Sequence, residues 1–327
     1  MKIDFHNHFF PPEYLTALAD GNTRVIVKQD DQGNPLLFYA GDYNILVPGH
    51  RDIEYRLREL DRCGVDMQVL SMTTPGVHIE EPGRGVELAR IVNDAFARIM
   101  QRYPDRFVAL AALPLQDPAA SVKELERAVQ ELGLRGATLF TNINGQPLKM
   151  PDFWPLYEKA AELDVPLFFH PTSPVGVEAM EDFRLTALVG FPLDTTLAVA
   201  RLVFQGVLEK LPSLKLVISH LGGAIPYLAE RIDRGYEAYT ECREHISAPP
   251  SHYFSHLYLD TVAFHPNSLL FALEFVGREQ LLLGSDYPHQ IGDLPRAVRV
   301  IEELSVPQET KEKILGQNAA ALLGIKV

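Results

Sequence analysis

The chain has 327 residues, 46% of them hydrophobic and 22% charged, with a formal net charge of −13. This composition excludes a disordered chain, and the acidic balance excludes the basic face on which nucleic-acid binding relies. Two cysteines, Cys63 and Cys242, exclude a disulfide framework and point to a cytoplasmic setting. No run of about 18 apolar residues reads as a membrane span, and the opening MKIDFHNHFF lacks the basic-then-apolar pattern of a signal peptide.

Taken in chain order, short apolar runs alternate with longer amphipathic stretches. A strand at Ile3–Phe5 opens the chain. Helical spacing of Ile53, Leu57 and Leu60 predicts a helix over 52–63, followed by a strand at Met67–Leu70. A helix over 84–102 leads to a strand at Phe107–Ala112, and a helix over 118–132 leads to Gly136–Phe140. The next pairs are 151–163 with Val165–Phe169, 193–209 with Leu214–Ser219, a helix after Gly222 with Leu257–Leu259, and 266–276 with Gln280–Leu283. A helical segment over 308–325 ends the chain. Many of the eight strands are apolar throughout, as parallel strands covered on both faces are. Eight such units predict one (β/α)8 TIM barrel domain spanning 1–327. Residues 21–50 break the alternation. The runs Arg24–Lys28 and Leu36–Tyr39 flank the turn Asp31-Gln-Gly-Asn34, which predicts a β-hairpin insertion after strand one, a surface flap or a lid over the barrel mouth.

The chemistry gathers at strand ends. His6 and His8 flank Asn7 just after the first strand, and alternate residues of an extended segment face one way. His170 ends strand five, His220 ends strand six in Ser219-His-Leu-Gly-Gly223, and Asp286 ends strand eight in Gly284-Ser-Asp-Tyr-Pro288. A barrel builds its active site on that rim. Imidazoles with a carboxylate suit one divalent metal ion, Zn²⁺ first, with Mn²⁺ and Fe²⁺ as alternatives.

The ordered pattern H-x-H, HP, SHxGG and GSDYP resembles the amidohydrolase superfamily. Within it, the whole chain is similar to the branch of aminocarboxymuconate semialdehyde decarboxylase and its 6-methylsalicylate-decarboxylase-like relatives, notably in Ser71–His78, Phe191–Thr196 and His220–Leu228. The resemblance implies the same barrel, His6, His8, His170 and Asp286 as metal ligands, and His220 as the acid/base group, with Asp286 sharing the proton work. Strand four carries no lysine to bridge two ions, so one metal is expected. The resemblance favours decarboxylation of an aromatic or unsaturated carboxylic acid; attack by metal-bound water, as in a lactonase or amidohydrolase, and hydration stay open, as does a non-catalytic acid-binding module.

For the substrate, Phe191 and Tyr287 are candidate contacts with a flat ring, with Phe9, Phe10 and Phe169 beside them. Arg231 matches an arginine of the resembled family and is a candidate carboxylate clamp. The resemblance to the aminocarboxymuconate enzymes implies another arginine in the insert after strand one, but Asp42–Leu46 carries none and Arg51 comes later, which speaks against aminocarboxymuconate itself as substrate. His289 is a further candidate at the mouth, whereas His50, His78, His245, His252, His256 and His265 read as surface or core. The expected partners are a small carboxylic acid and further copies of the chain, as a homodimer or larger homo-oligomer.

Overall fold

The computed structural model describes residues 1–149, 151–180 and 182–326. Eight parallel segments form the sheet: β1 (Ile3–His8), β2 (Met67–Ser71), β3 (Phe107–Ala109), β4 (Ala137–Phe140), β5 (Leu167–His170), β6 (Leu216–Ile218), β7 (Tyr258–Asp260) and β8, which runs as Leu281–Leu282 and Gly284–Tyr287. One run pairs β8 with β1, β2 and β3 in that order, and the other pairs β4 with β5, β6, β7 and β8. A bridge between Ala111 and Ala137 joins β3 to β4, so the sheet closes on itself. The alternation of apolar and amphipathic runs therefore encodes the TIM barrel.

Local sequence sets the helix ends. Asp52 caps the helix Ile53–Cys63 by accepting from the N–H groups of Glu54 and Tyr55, and Gly64 ends it in the left-handed region at φ 63°. Asp117 caps Pro118–Gln130 in the same way, with proline at the tolerant first position. The helix over Pro266–Val276 has the bounds its periodicity predicts.

Two expectations need correction. Residues 26–45 form three antiparallel strands, Ile26–Gln29, Pro35–Tyr39 and Asp42–Ile45, where a two-stranded hairpin was predicted. The second turn is the pair Ala40-Gly41, both at positive φ, which suits a tight two-residue connection but carries little of the usual turn signature. The helix predicted over 193–209 breaks into Phe191–Phe204 and Val207–Lys210 at Gly206, which takes φ 75°. The stretch Asp182–Phe204 is also apolar enough, at mean hydropathy 1.5 over an 18-residue window, to cross a membrane by length and composition. Polar residues interrupt it throughout, and 39% of that window is buried within the fold. Thr195, Val199, Leu202 and Val203 of this stretch are buried in the core, while Leu188, Leu193 and Leu197 are exposed.

The barrel interior has two layers. Ile3, Phe5, Met67, Val69, Val108, Phe168, Val217 and Leu282 pack with Ala319, Ala320, Leu322 and Leu323 of the helix Asn318–Leu323, which plugs one end. Above this apolar layer the interior turns polar. The register of β1 against both neighbours shifts between Asp4 and Asn7, the mark of a β-bulge. Phe5 and His6 therefore both lie against Phe168, at ring separations of 5.6 and 5.0 Å. A regular strand would have sent these successive side chains to opposite faces.

Arg56 fixes the bulge from outside. Fully buried, it donates to Asn7 Oδ1 at 2.6 Å, Gln68 Oε1 at 3.0 Å, the carbonyl of Gly49 and the carbonyl of His8. Arg56→Met leaves these buried acceptors without donors and is expected to destabilise the fold by about 3–5 kcal/mol. Urea unfolding measures it, and a loss below about 1 kcal/mol would show that Arg56 does not hold the bulge.

Candidate metal centre

The bulge aims His6 and His8 into the barrel, where their Nε2 atoms lie 3.0 Å apart. Asp286 Oδ1, from β8, stands 3.3 Å from His6 Nε2 and 3.1 Å from His8 Nε2. His170 follows Phe168 on the inner face of β5, and its ring lies 5.2 Å from that of His6 and 4.7 Å from that of His8. His170 Nδ1 donates to the carbonyl of Pro171 at 2.8 Å, which leaves its buried Nε2 with no partner. All four residues are buried. His220 also joins the group: its ligand atom lies within 4.8 Å of those of His6, His170 and Asp286. The five groups that the sequence placed on the rim thus meet in one place.

Asp260, at the end of β7, is the residue that sequence reasoning missed. Its Oδ2 accepts from His6 Nδ1 at 2.5 Å and from the backbone N–H of His220 at 3.0 Å, while Oδ1 accepts from the N–H groups of Leu221 and Val262. The same positional rule would have found it, but the expected strand stopped one residue short, at Leu259. His220 and Leu221 both take positive φ, 52° and 56°, strain that fits a backbone held by this carboxylate. Gly222 and Gly223 continue the left-handed run, and a Cβ on Gly223 would meet the carbonyl of Pro192 at 2.4 Å. Close packing, rather than anion binding, accounts for that pair.

The electrostatics fit a cation. Burial disfavours charge on His6, but the Asp260 and Asp286 carboxylates outweigh it and push its pKa up to about 10. Burial raises Asp286, yet hydrogen bonds from His6 and His8 hold it well below the ordinary carboxylate range. Burial keeps His8 and His170 far below the usual imidazole value, and therefore neutral. The metal-free protein thus keeps a proton where a divalent ion would put its charge. Neutral nitrogens, an ionised carboxylate and the orphaned His170 Nε2 are a suitable donor set for a divalent metal.

A cavity opens above this cluster. His170, His220 and Asp286 form its base, Phe191 and His289 its sides, and Tyr39–Ile45 of the three-stranded segment one wall. Among the expected substrate contacts, Phe191 is in place. Tyr287 is not: strand alternation turns it away from Asp286, with its ring 4.9 Å from the Arg56 guanidinium. Arg231 is exposed on the helix Ile225–Ala238 and does not line the cavity of its own chain. Phe9, Phe10 and Phe169 are core residues. His50 and His78, read as ordinary surface or core histidines, are both buried; the His50 ring has neither nitrogen bonded and lies 5.0 Å from that of His289. Arg184 and Asp42, neither a candidate contact in the sequence reading, both line the cavity.

Comparison with known proteins agrees with this geometry. The family model described as amidohydrolase matches residues 3–325. The 2-amino-3-carboxymuconate-6-semialdehyde decarboxylase of Dictyostelium discoideum is 35% identical, over 99% of this chain and 92% of its own. The crystal structure of 5-carboxyvanillate decarboxylase from Sphingomonas paucimobilis superposes with a TM-score of 0.87 at 27% identity, covering 99% of each chain. A dihydroxybenzoic acid decarboxylase from Polaromonas, solved with manganese and the inhibitor 2-nitroresorcinol, has a TM-score of 0.82 at 28% identity, covering 99% of this chain and 97% of its own.

Two outcomes follow from the cluster. Elemental analysis should find about one divalent ion per chain, and its binding should release about one proton near pH 7, because the ion displaces the His6 proton. Titration calorimetry in two buffers of different ionisation enthalpy reads that release; proton uptake would refute it. Asp260→Asn should weaken metal affinity by about 10–100-fold through loss of the His6 anchor, whereas unchanged affinity would remove Asp260 from the design.

Proposed function

Because the chain belongs to the amidohydrolase family, we propose that it is a metal-dependent carboxy-lyase that removes CO2 from an aromatic or unsaturated carboxylic acid. The observation that carries this reading is a division of labour among the histidines. His6 and His8 are buried beneath the cavity, while His220 lines it and is only partly buried. A group that exchanges a proton with substrate must touch it; a ligand need not.

His6, His8, His170 and Asp286 would hold the ion, whose Lewis acidity would polarise substrate oxygens when bound. Asp260 sets the tautomer of His6 through Nδ1 and fixes the backbone of His220. His220 then delivers a proton from its cavity-facing ring nitrogen to the carbon that bears the carboxylate, with Asp286 able to share that proton. The bond to the carboxylate breaks, its electron pair stays with the protonated carbon, and CO2 leaves. Phe191 supplies an apolar side for a flat ring. Burial lowers the His220 pKa, so its protonated form gives up a proton more readily than a free imidazolium does.

Zn²⁺ is the ion that three imidazoles and one carboxylate suit best; manganese in the Polaromonas protein makes Mn²⁺ the first alternative. The chain is read as one domain over 1–327, cytoplasmic, and assembled as a homodimer or larger homo-oligomer. The exposed leucines 188, 193 and 197, beginning at the cavity rim, are the face that a second copy would cover.

His220→Ala should lower turnover by about a hundredfold or more with metal retained; loss of the ion would make His220 a ligand instead. Turnover in D2O should leave one deuterium on the carbon that loses CO2. Solvent oxygen-18 in a product carboxylate, without CO2 release, would establish a hydrolase and overturn the carboxy-lyase.

A further inference from the structure

The cavity wall carries a pair of opposite charges that the reaction above does not use. Asp42 stands at the start of the strand Asp42–Ile45, and its side chain is only 9% exposed. Arg184 faces it from the segment before Phe191, with Nη1 3.6 Å from Asp42 Oδ1. That separation is beyond a good hydrogen bond. The guanidinium lies over the Tyr43 ring, 4.4 Å from its centroid, which orients the fork. Phe183 and Arg184 both take positive φ, 53° and 60°, uncommon for such residues and frequent at ligand sites.

Two other polar side chains of this wall are already satisfied. The Tyr39 hydroxyl donates to Thr74 Oγ1 at 2.7 Å, and Asn44 Nδ2 donates to the carbonyl of Thr74. Asp42 accepts one hydrogen bond, from the N–H of Tyr43, and among the described residues Arg184 donates none. Arg184 is also the one guanidinium or ammonium lining the cavity among the described residues. Both residues line the same cavity as His170, His220, Asp286 and His289. The pair therefore shares one cavity with the groups proposed to react.

We infer that Asp42 and Arg184 together read a hydroxyl group on the substrate ring, away from the carboxylate that departs. This rests on the reading of the substrate as a small aromatic acid. A hydroxyl donates to Asp42 and accepts from Arg184, so it satisfies both members of a pair too far apart to satisfy each other. A second carboxylate at that place would meet the nearly buried Asp42 charge. A hydrogen or methyl group would leave the nearly buried Asp42 carboxylate against apolar surface, while Arg184, whose side chain is 46% exposed, keeps its contact with solvent. The two residues thus determine specificity for a ring hydroxyl without taking part in bond breaking.

The test is calorimetric binding to the metal-loaded protein, with salicylate as parent acid, gentisate and β-resorcylate carrying one more hydroxyl, and hydroxyterephthalate carrying a second carboxylate. The protein should bind gentisate or β-resorcylate about tenfold or more tighter than salicylate, since a site built to hydrogen-bond a hydroxyl rejects the analogue without it. Asp42→Asn and Arg184→Met should each collapse that ratio to within about twofold, and Arg184→Lys should restore only part of it. Metal content and thermal midpoint, measured alongside, must match the parent protein for a variant to count; Arg184→Lys serves if the methionine variant fails. A ratio that survives both substitutions overturns the inference. So does a loss confined to hydroxyterephthalate in Arg184→Met, which would make Arg184 an anion clamp. CO2 release is scored separately: discrimination without CO2 sinks the carboxy-lyase alone, and CO2 without discrimination sinks the hydroxyl reader alone.

Discussion

Everything at the centre depends on the Asp260 carboxylate. One buried acid holds Nδ1 of His6 and the backbone of His220, and so ties the imidazole proposed to bind the metal and the imidazole proposed to carry the proton to a single rigid point. A buried carboxylate is costly unless its acceptor capacity is filled. Here one imidazole N–H and three backbone N–H groups fill it, and its pKa stays below the ordinary range although burial pushes the other way. The left-handed backbone at His220 and Leu221 is held by this same set of bonds.

The barrel interior is arranged so that such charges sit only where they can be matched. Below, Phe5, Phe168 and the plug of Ala319–Leu323 exclude water. Above, the layer of His6, His8, His170, Asp260 and Asp286 has an excess of acceptors that a proton or an ion must balance. The bulge in β1 is the hinge between the layers, because it lets Phe5 serve the lower one and His6 the upper. Arg56 holds that bulge from the outer face through Asn7, the residue between the two histidines. Burial moves the Arg56 pKa down to about 10, well above neutral pH, so its charge is kept.

Selectivity is placed elsewhere, on elements the barrel does not need for closure. The three-stranded segment and the stretch before Phe191 form the walls, and they carry Tyr43, Asp42 and Arg184. Loops at the strand ends of a barrel can change without disturbing the side chains at its base. His50 and His289 lie between these regions, packed ring against ring beside His8.

The sequence by itself determined the barrel, its eight strands and the five chemical groups, because each is a local signal: apolar runs of strand length, helical spacing between them, and a polar residue where each run ends. His6, His8, His170, His220 and Asp286 were all legible in this way. Tertiary structure alone decided which residues support them. The bulge that turns both Phe5 and His6 inward is a shift in pairing against β2 and β8, set by contacts far away in sequence. Asp260 was one residue beyond the expected end of its strand, and its role exists only because β6 and β7 lie side by side. Tyr287 and Arg231 had the right residue types near the right motifs, yet strand alternation turns one out and an exposed helix carries the other away. Asp42 and Arg184 lie 142 positions apart and gave no shared signal. Sequence motifs report what a residue can do, whereas the distance between two side chains depends on how the whole chain closes.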